Sequence, residues 1–150
     1  MLNELAEILP ESTDFKSAIV AAENFLLALP QTETEVIHHF SPGIYARELR
    51  IPAGMVLTGK IHLTEHLCIM HGDIEIMSED GGGRFTGYHT LLSKPGVKRI
   101  GRTYADTVFT TIHATDITNI KELEASLAVE TYAQYEQFLI DSTKQIETNV

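Results

Sequence analysis

The seven histidines of this chain, His38, His39, His62, His66, His71, His89 and His113, all fall between residues 38 and 113. Imidazole titrates near neutral pH and ligates transition metals when uncharged, so such a concentration points to proton transfer or metal binding. His62 and His66 are four residues apart and would flank a hairpin turn. Because side chains alternate along a strand, Lys60 and His62 share one face, and His66, Cys68 and Met70 share a face of the next strand. If those faces meet inside a barrel, the imidazoles converge. Tyr45 and Arg47 alternate with Ala46 and Glu48 and would line the same interior, whereas Tyr104, two residues after Arg102, is a candidate to orient a ligand. His38-His39 precede a Ser41-Pro42-Gly43 turn and are expected at the surface, and His71 and His89 have no partner that the sequence identifies.

The elements that must position these groups differ between the ends and the middle. From Asp14 to Leu29 the apolar residues Phe15, Ala18, Ile19, Ala22, Phe25, Leu26 and Leu29 recur at helical spacing, behind a Ser12-Thr13-Asp14 capping cluster and before Pro30. A second helical region covers residues 119–146, with a break near Glu130. Both helices read as cover for a core or as a surface that pairs subunits. Between them lie short apolar runs, Ile44–Ile51, Met55–Ile61, Leu67–Met70, Ile74–Met77 and Thr107–His113, separated by Pro-Gly, Pro-Ala-Gly, His-Gly-Asp and Gly-Gly-Gly. Short strands punctuated in this way predict one mainly β domain, an antiparallel barrel over residues 36–115. Gly81-Gly82-Gly83 marks a hairpin tip; it lacks the Lys-Ser/Thr and helix of a phosphate loop.

The stretch from Pro52 to Asp73 resembles the cupin superfamily. That family's first motif is Gly, five residues, His, one residue, His, three or four residues, Glu, six residues, Gly. Gly54, His62 and Gly72 fit it, and Lys60 stands where the first histidine belongs. His66 has the right offset from His62 to replace the glutamate, while Glu65 has the right offset from Gly72, so both remain open, with His66 favoured. Pro95-Gly96-Val97-Lys98-Arg99 resembles the end of the second motif, with Arg99 in place of its histidine. More narrowly, residues 38–113 are similar in overall pattern to small single-domain cupin-like proteins of tailed phages and prophages. The resemblance implies a double-stranded β-helix, or jelly roll. It implies a metal held by histidines and a glutamate, which here reduces to His62 and His66 with help from Glu65 or His113. Lys60 and Arg99 would repel a divalent cation, so the cofactor is either a transition metal or none.

The same two cations favour an anionic ligand, because guanidinium and ammonium groups match phosphate and carboxylate. With Lys60, Arg99, Tyr45, Arg47 and Tyr104 as ligand-binding candidates, His62 with His66 or His113 becomes a candidate acid–base pair for hydrolysis, phosphodiester cleavage included. His62-Leu63-Thr64 and His113-Ala114-Thr115 repeat a His-x-Thr pattern that resembles two-histidine phosphoesterases, although those have a bilobal αβ fold. The leading expectation is a cupin-like enzyme hydrolysing an anionic, nucleotide-like molecule, such as a host signalling nucleotide. A sequestering protein and a metal-dependent oxygenase or isomerase are the alternatives, with a structural role in a virion behind them.

The formal net charge is -10, but residues 1–40 hold seven acids and one base, residues 41–115 seven and eight, and residues 116–150 seven and two. The net charge argues against general nucleic-acid binding, although the acidity belongs to the two ends. Lys94, Lys98, Arg99 and Arg102 form a local basic cluster, read either as an anion-binding surface or as a solvated strand edge. No stretch approaches the ~18 consecutive apolar residues of a membrane span, and Met1-Leu2-Asn3-Glu4-Leu5 lacks signal-peptide character. A lone Cys68 forbids an internal disulfide, so the expectation is a cytoplasmic protein with Cys68 a buried thiol, while the cupin resemblance and the amphipathic ends imply a homodimer or larger homo-oligomer.

Overall fold

The computed structural model describes Leu9 and residues 14–148. Its elements are helix α1 (Phe15–Leu27), strands β1 (Glu35–Ser41), β2 (Ile44–Ile51), β3 (Val56–Thr58), β4 (Ile61–His62), β5 (His66–Ser78), β6 (Gly81–Ser93), β7 (Ile100–Thr103) and β8 (Thr107–Ala114), helix α2 (Ile120–Leu127), strand β9 (Ala128–Val129) and helix α3 (Tyr132–Thr148). The protein is mainly β, as the sequence predicts. An antiparallel sheet runs in the order β1-β2-β8-β5-β7-β3, with β6 on the other side of β5, and it curls into a half-barrel. No helix of the described residues is long and apolar enough to cross a membrane.

Asp14 caps α1: its carboxylate accepts from the Lys16 amide at 3.2 Å and the Ser17 hydroxyl at 2.9 Å. The inner face of the helix, Ala18, Ile19 and Ala22, is buried, with Ile19 and Ala22 packing on Ile100 of β7 and on Val56 and Met77. Lys98 reinforces that contact. It is almost wholly buried, its Nζ lies 2.8 Å from Glu23 Oε2 on α1, and it donates to the Glu130 carbonyl at 3.0 Å. A buried ammonium is tolerated only with such partners. The basic cluster expected around Lys98 is therefore dispersed: Lys98 points into the helix interface, Lys94 is exposed, and Arg102 stacks near Tyr104, 5.4 Å from its ring.

Three expectations about the elements are corrected. The runs Leu67–Met70 and Ile74–Met77 are halves of one 13-residue strand, because His71-Gly72-Asp73 is a bend and not a turn. Up to His71 strand β5 pairs with β8, and from Ile74 it pairs with β7, while β6 follows it throughout with Gly87 opposite Gly72. Both glycines have positive φ, +149° and +77°, so the whole ribbon changes direction at one place. The glycine run opens β6, and the hairpin tip itself is Glu79-Asp80. Lastly, His62 and His66 do not flank a hairpin: β4 pairs with β9, which occupies the break between α2 and α3.

A Cβ on Gly72 would lie 2.4 Å from Thr107 Oγ1 and 2.7 Å from its Cα. Gly72→Ala combines that collision with a strained backbone, so urea denaturation should show a loss of about 3 kcal/mol. Gly54→Ala, which has a positive φ but meets nothing within 4 Å, should cost about 1 kcal/mol. Equal losses would contradict the role of the Gly72 contact.

Candidate functional site

The concave face of the half-barrel is built by alternation. In β2 it carries Tyr45, Arg47 and Leu49; in β8, Phe109, Thr111 and His113; in β5, His66, Cys68 and Met70. Register sets Tyr45 beside His113, and Arg47 beside Thr111, which in turn faces Cys68. His62 comes from outside this sheet. Its backbone pairs with Ala128 of β9, its carbonyl accepts from the Gly96 amide at 3.0 Å, and the next amide, Leu63, donates to Leu127 at 2.8 Å. Gly96 has no room for a side chain, since a Cβ there would lie 2.7 Å from the Tyr135 ring of α3. The C-terminal segment, expected only as cover or a subunit contact, thus holds one of the three site histidines in place.

The three imidazoles stack together. Ring centroids are 4.1 Å apart for His62 and His66, 4.5 Å for His66 and His113, and 5.2 Å for His62 and His113. One nitrogen of each lies within 4.8 Å of the others, and among the described residues no second group of three potential ligands is assembled. His66 and His113 are buried and His62 is half-buried. The His66 Nδ1 lies 3.0 Å from the Thr64 carbonyl, to which it donates, leaving the lone pair on Nε2. Nδ1 of His62 and Nδ1 of His113 are buried without a hydrogen-bond partner.

Burial disfavours the charged imidazole throughout. It pushes His62 down to about 3, helped by His66, His113, Arg99 and Arg47, and His113 down to about 4, helped by His66. His66 is also lowered, chiefly by burial, against the opposing effect of its bond to Thr64. At neutral pH the cluster is three uncharged rings.

Around it lie several groups from the sequence reading. Tyr45 is buried and stacks with His113 at 6.3 Å. Its hydroxyl lies 2.6 Å from His38 Nδ1. His38 is therefore half-buried at the edge of the site and not on the surface as expected, whereas His39 is exposed and pairs with Glu48 at 3.2 Å. Nothing in the local sequence separates His38 from His39; only the register of β1 on β2 does. Arg47 and Arg99 are half-buried and both act on His62. Ser93, beside His66 in register, was not foreseen and is buried.

Other candidates are elsewhere. Lys60 is exposed, 3.9 Å from Glu130, because β4 is only two residues long and the alternation does not extend back to Lys60. Glu65 is exposed, so of the two alternatives His66 faces inward. Tyr104 receives the Arg84 guanidinium over its ring at 4.0 Å, and its amide donates to Asp73. Asp73 is seven residues along β5 from His66, a path of roughly 23 Å, which separates Tyr104 from the histidines. His71 stacks on Tyr88 on the exposed face, and His89 meets Phe85 edge-on.

A cupin domain from Bordetella pertussis aligns with 59% of this chain and 99% of its own at 14% identity and a TM-score of 0.45. The likeness is to cupin domains. The Schizosaccharomyces pombe Cnp3 cupin domain aligns over 64% of this chain and 81% of its own, at 15% identity and a TM-score of 0.46. An RmlC-like cupin family protein with a double-stranded β-helix fold from Methanocaldococcus jannaschii aligns over 71% and 87%, at 12% identity and a TM-score of 0.45. No protein-family model and no curated protein matches the chain.

The depressed histidines give the metal-free protein a pH signature. Between the ordinary value of 6.5 and the folded values of about 4 and 3, the unfolded chain takes up protons that the folded chain does not. Stability is thus lost as pH falls through that window. Thermal melts of chelator-treated protein should show a smaller drop from pH 7 to pH 4.5 in His62→Asn/His113→Asn than in the parent; parallel drops would contradict the burial of neutral rings.

Proposed function

We propose that this protein holds a divalent transition metal on His62, His66 and His113 and acts on an anionic small molecule in the adjoining pocket. The observation that carries this reading is the meeting of three uncharged imidazoles, with one nitrogen of each within 4.8 Å of the rest. Neutral imidazole is the form that ligates zinc, iron, nickel and copper. The unpartnered Nδ1 atoms of His62 and His113 fit the same reading, since a buried polar atom without a partner costs about 1–3 kcal/mol. With one nitrogen of each ring within 4.8 Å of the others, His62, His66 and His113 are the residues that would hold such an ion. A bound metal would supply Lewis acidity to a reacting oxygen. The chain itself supplies the anion selectivity through Arg99, which lines the pocket, and orients His113 through the Tyr45 ring and its His38 partner.

Metal-free acid–base hydrolysis of a nucleotide, the reading that the phage resemblance suggests, needs one imidazole protonated near neutral pH. Burial works against that at His62 and His113. The two readings separate by experiment. Chelator-treated protein titrated with Co(II) and Zn(II) should take up one ion per chain. His66→Ala and His113→Ala should each weaken uptake by roughly a hundredfold or more. Uptake unchanged in both variants, or turnover of cyclic or linear nucleotides in the presence of chelator, would overturn the metal reading.

We also propose that two copies associate along β6. Among the described residues β6 pairs with β5 alone, and the outer face of that ribbon exposes Leu67, Ile69, Tyr88 and Leu92. A free 13-residue edge beside an uncharged apolar strip is the kind of surface that sheets cover by pairing. Sedimentation should report a dimer that Tyr88→Lys/Leu92→Lys shifts to monomer; a monomeric parent protein would refute it.

A further inference from the structure

Beside the histidines the concave face forms a half-open hollow of about 260 Å3. It begins at Cys68 and Ser93, which adjoin His66 along β5 and across to β6, and runs under the curled ribbon between Phe85, Leu91 and Phe109 to the hairpin tip. Its lining contains one charged group, Arg99. Among the described residues that guanidinium forms no ion pair or side-chain hydrogen bond, although it is half-buried. The Ser93 hydroxyl is 2% exposed and has no strong hydrogen-bond partner, since the group beside it is the Cys68 thiol, a weak one. A half-buried cation without an ion pair and a buried hydroxyl with only a thiol beside it, both lining a largely apolar hollow, are costs that a ligand with the opposite pattern would relieve.

We infer that this cavity binds a small monoanion with an apolar body, of the class of medium-chain carboxylates, with its headgroup on Arg99 and Ser93 and its chain against Phe85, Leu91 and Phe109. One guanidinium matches one negative charge, and the lining offers nothing to a second. The volume lies below the ~300–1,000 Å3 of pockets for drug-sized ligands. At about 30 Å3 per water it replaces about nine water-sized groups, which suits hexanoate to octanoate and excludes a dinucleotide. The inference deepens the metal reading, on which it rests for the reaction, by naming the substrate class. Binding of the anion itself needs no metal.

The test uses the full chain, chelator-treated and cobalt-loaded, with calorimetric titration of straight-chain carboxylates from butanoate to dodecanoate, 1-octanol and adenosine 5′-monophosphate. Affinity should rise roughly fourfold per methylene, peak near octanoate and fall at dodecanoate. Octanol should bind at least tenfold more weakly than octanoate. Arg99→Met should lose most of the octanoate affinity while still taking up cobalt, Arg99→Lys should restore part of it, and Ser93→Ala should lose a few-fold. Retained cobalt uptake shows that Arg99→Met is folded. No dependence on chain length, equal binding by Arg99→Met, or tighter binding of the nucleotide would overturn the inference. Octanoate binding without cobalt uptake would sink the metal reading and leave this one standing; cobalt uptake without octanoate binding would do the reverse.

Discussion

The site depends on a two-residue ladder. Strand β4 takes no part in the large sheet, so the backbone of His62 is held against the buried His66 and His113 by its pairing with β9 and by the amide of Gly96. That ladder is short and cannot stand alone. It persists because α2 and α3 flank β9, because Tyr135 closes over Gly96, and because Lys98 ties Glu130, just beyond β9, to Glu23 of α1. Helices that bear no ligand of their own are thus part of what brings three histidines together.

The second constraint is dielectric. Three imidazoles stacked within about 5 Å could not all be charged, and their burial keeps them neutral. Two guanidiniums near the cluster add to the same effect. Neutral rings each have a lone pair to give and no acidic imidazolium proton to transfer, which moves the chemistry away from a pair of histidines exchanging protons. The cations that seemed, in sequence, to stand against a metal are divided by the fold: Lys60 turns to Glu130, and Arg99 faces the cavity.

The bend at Gly72 links the site to the chamber. With Gly87 opposite, it lets one long ribbon leave β8 and join β7, so that the face bearing His66 and Cys68 continues over an apolar hollow. The motif position of Gly72 was legible in the sequence, but its role was not, because His-Gly-Asp has the same composition in a turn as in a bend.

Residue types and local periodicity determined a good deal by themselves: a mainly β centre between helical ends, helix α1 behind its Ser12-Thr13-Asp14 capping cluster, and the break near Glu130. These depend on alternation, capping and helical spacing, which act within a few residues. Only the tertiary structure decided which histidine neighbours which. The pairing of β4 with β9 spans more than sixty residues and leaves no mark on either segment. Register alone put His38 on Tyr45 and His39 on Glu48, and Lys60 fell outside the pocket because a strand of two residues carries no alternation beyond its ends.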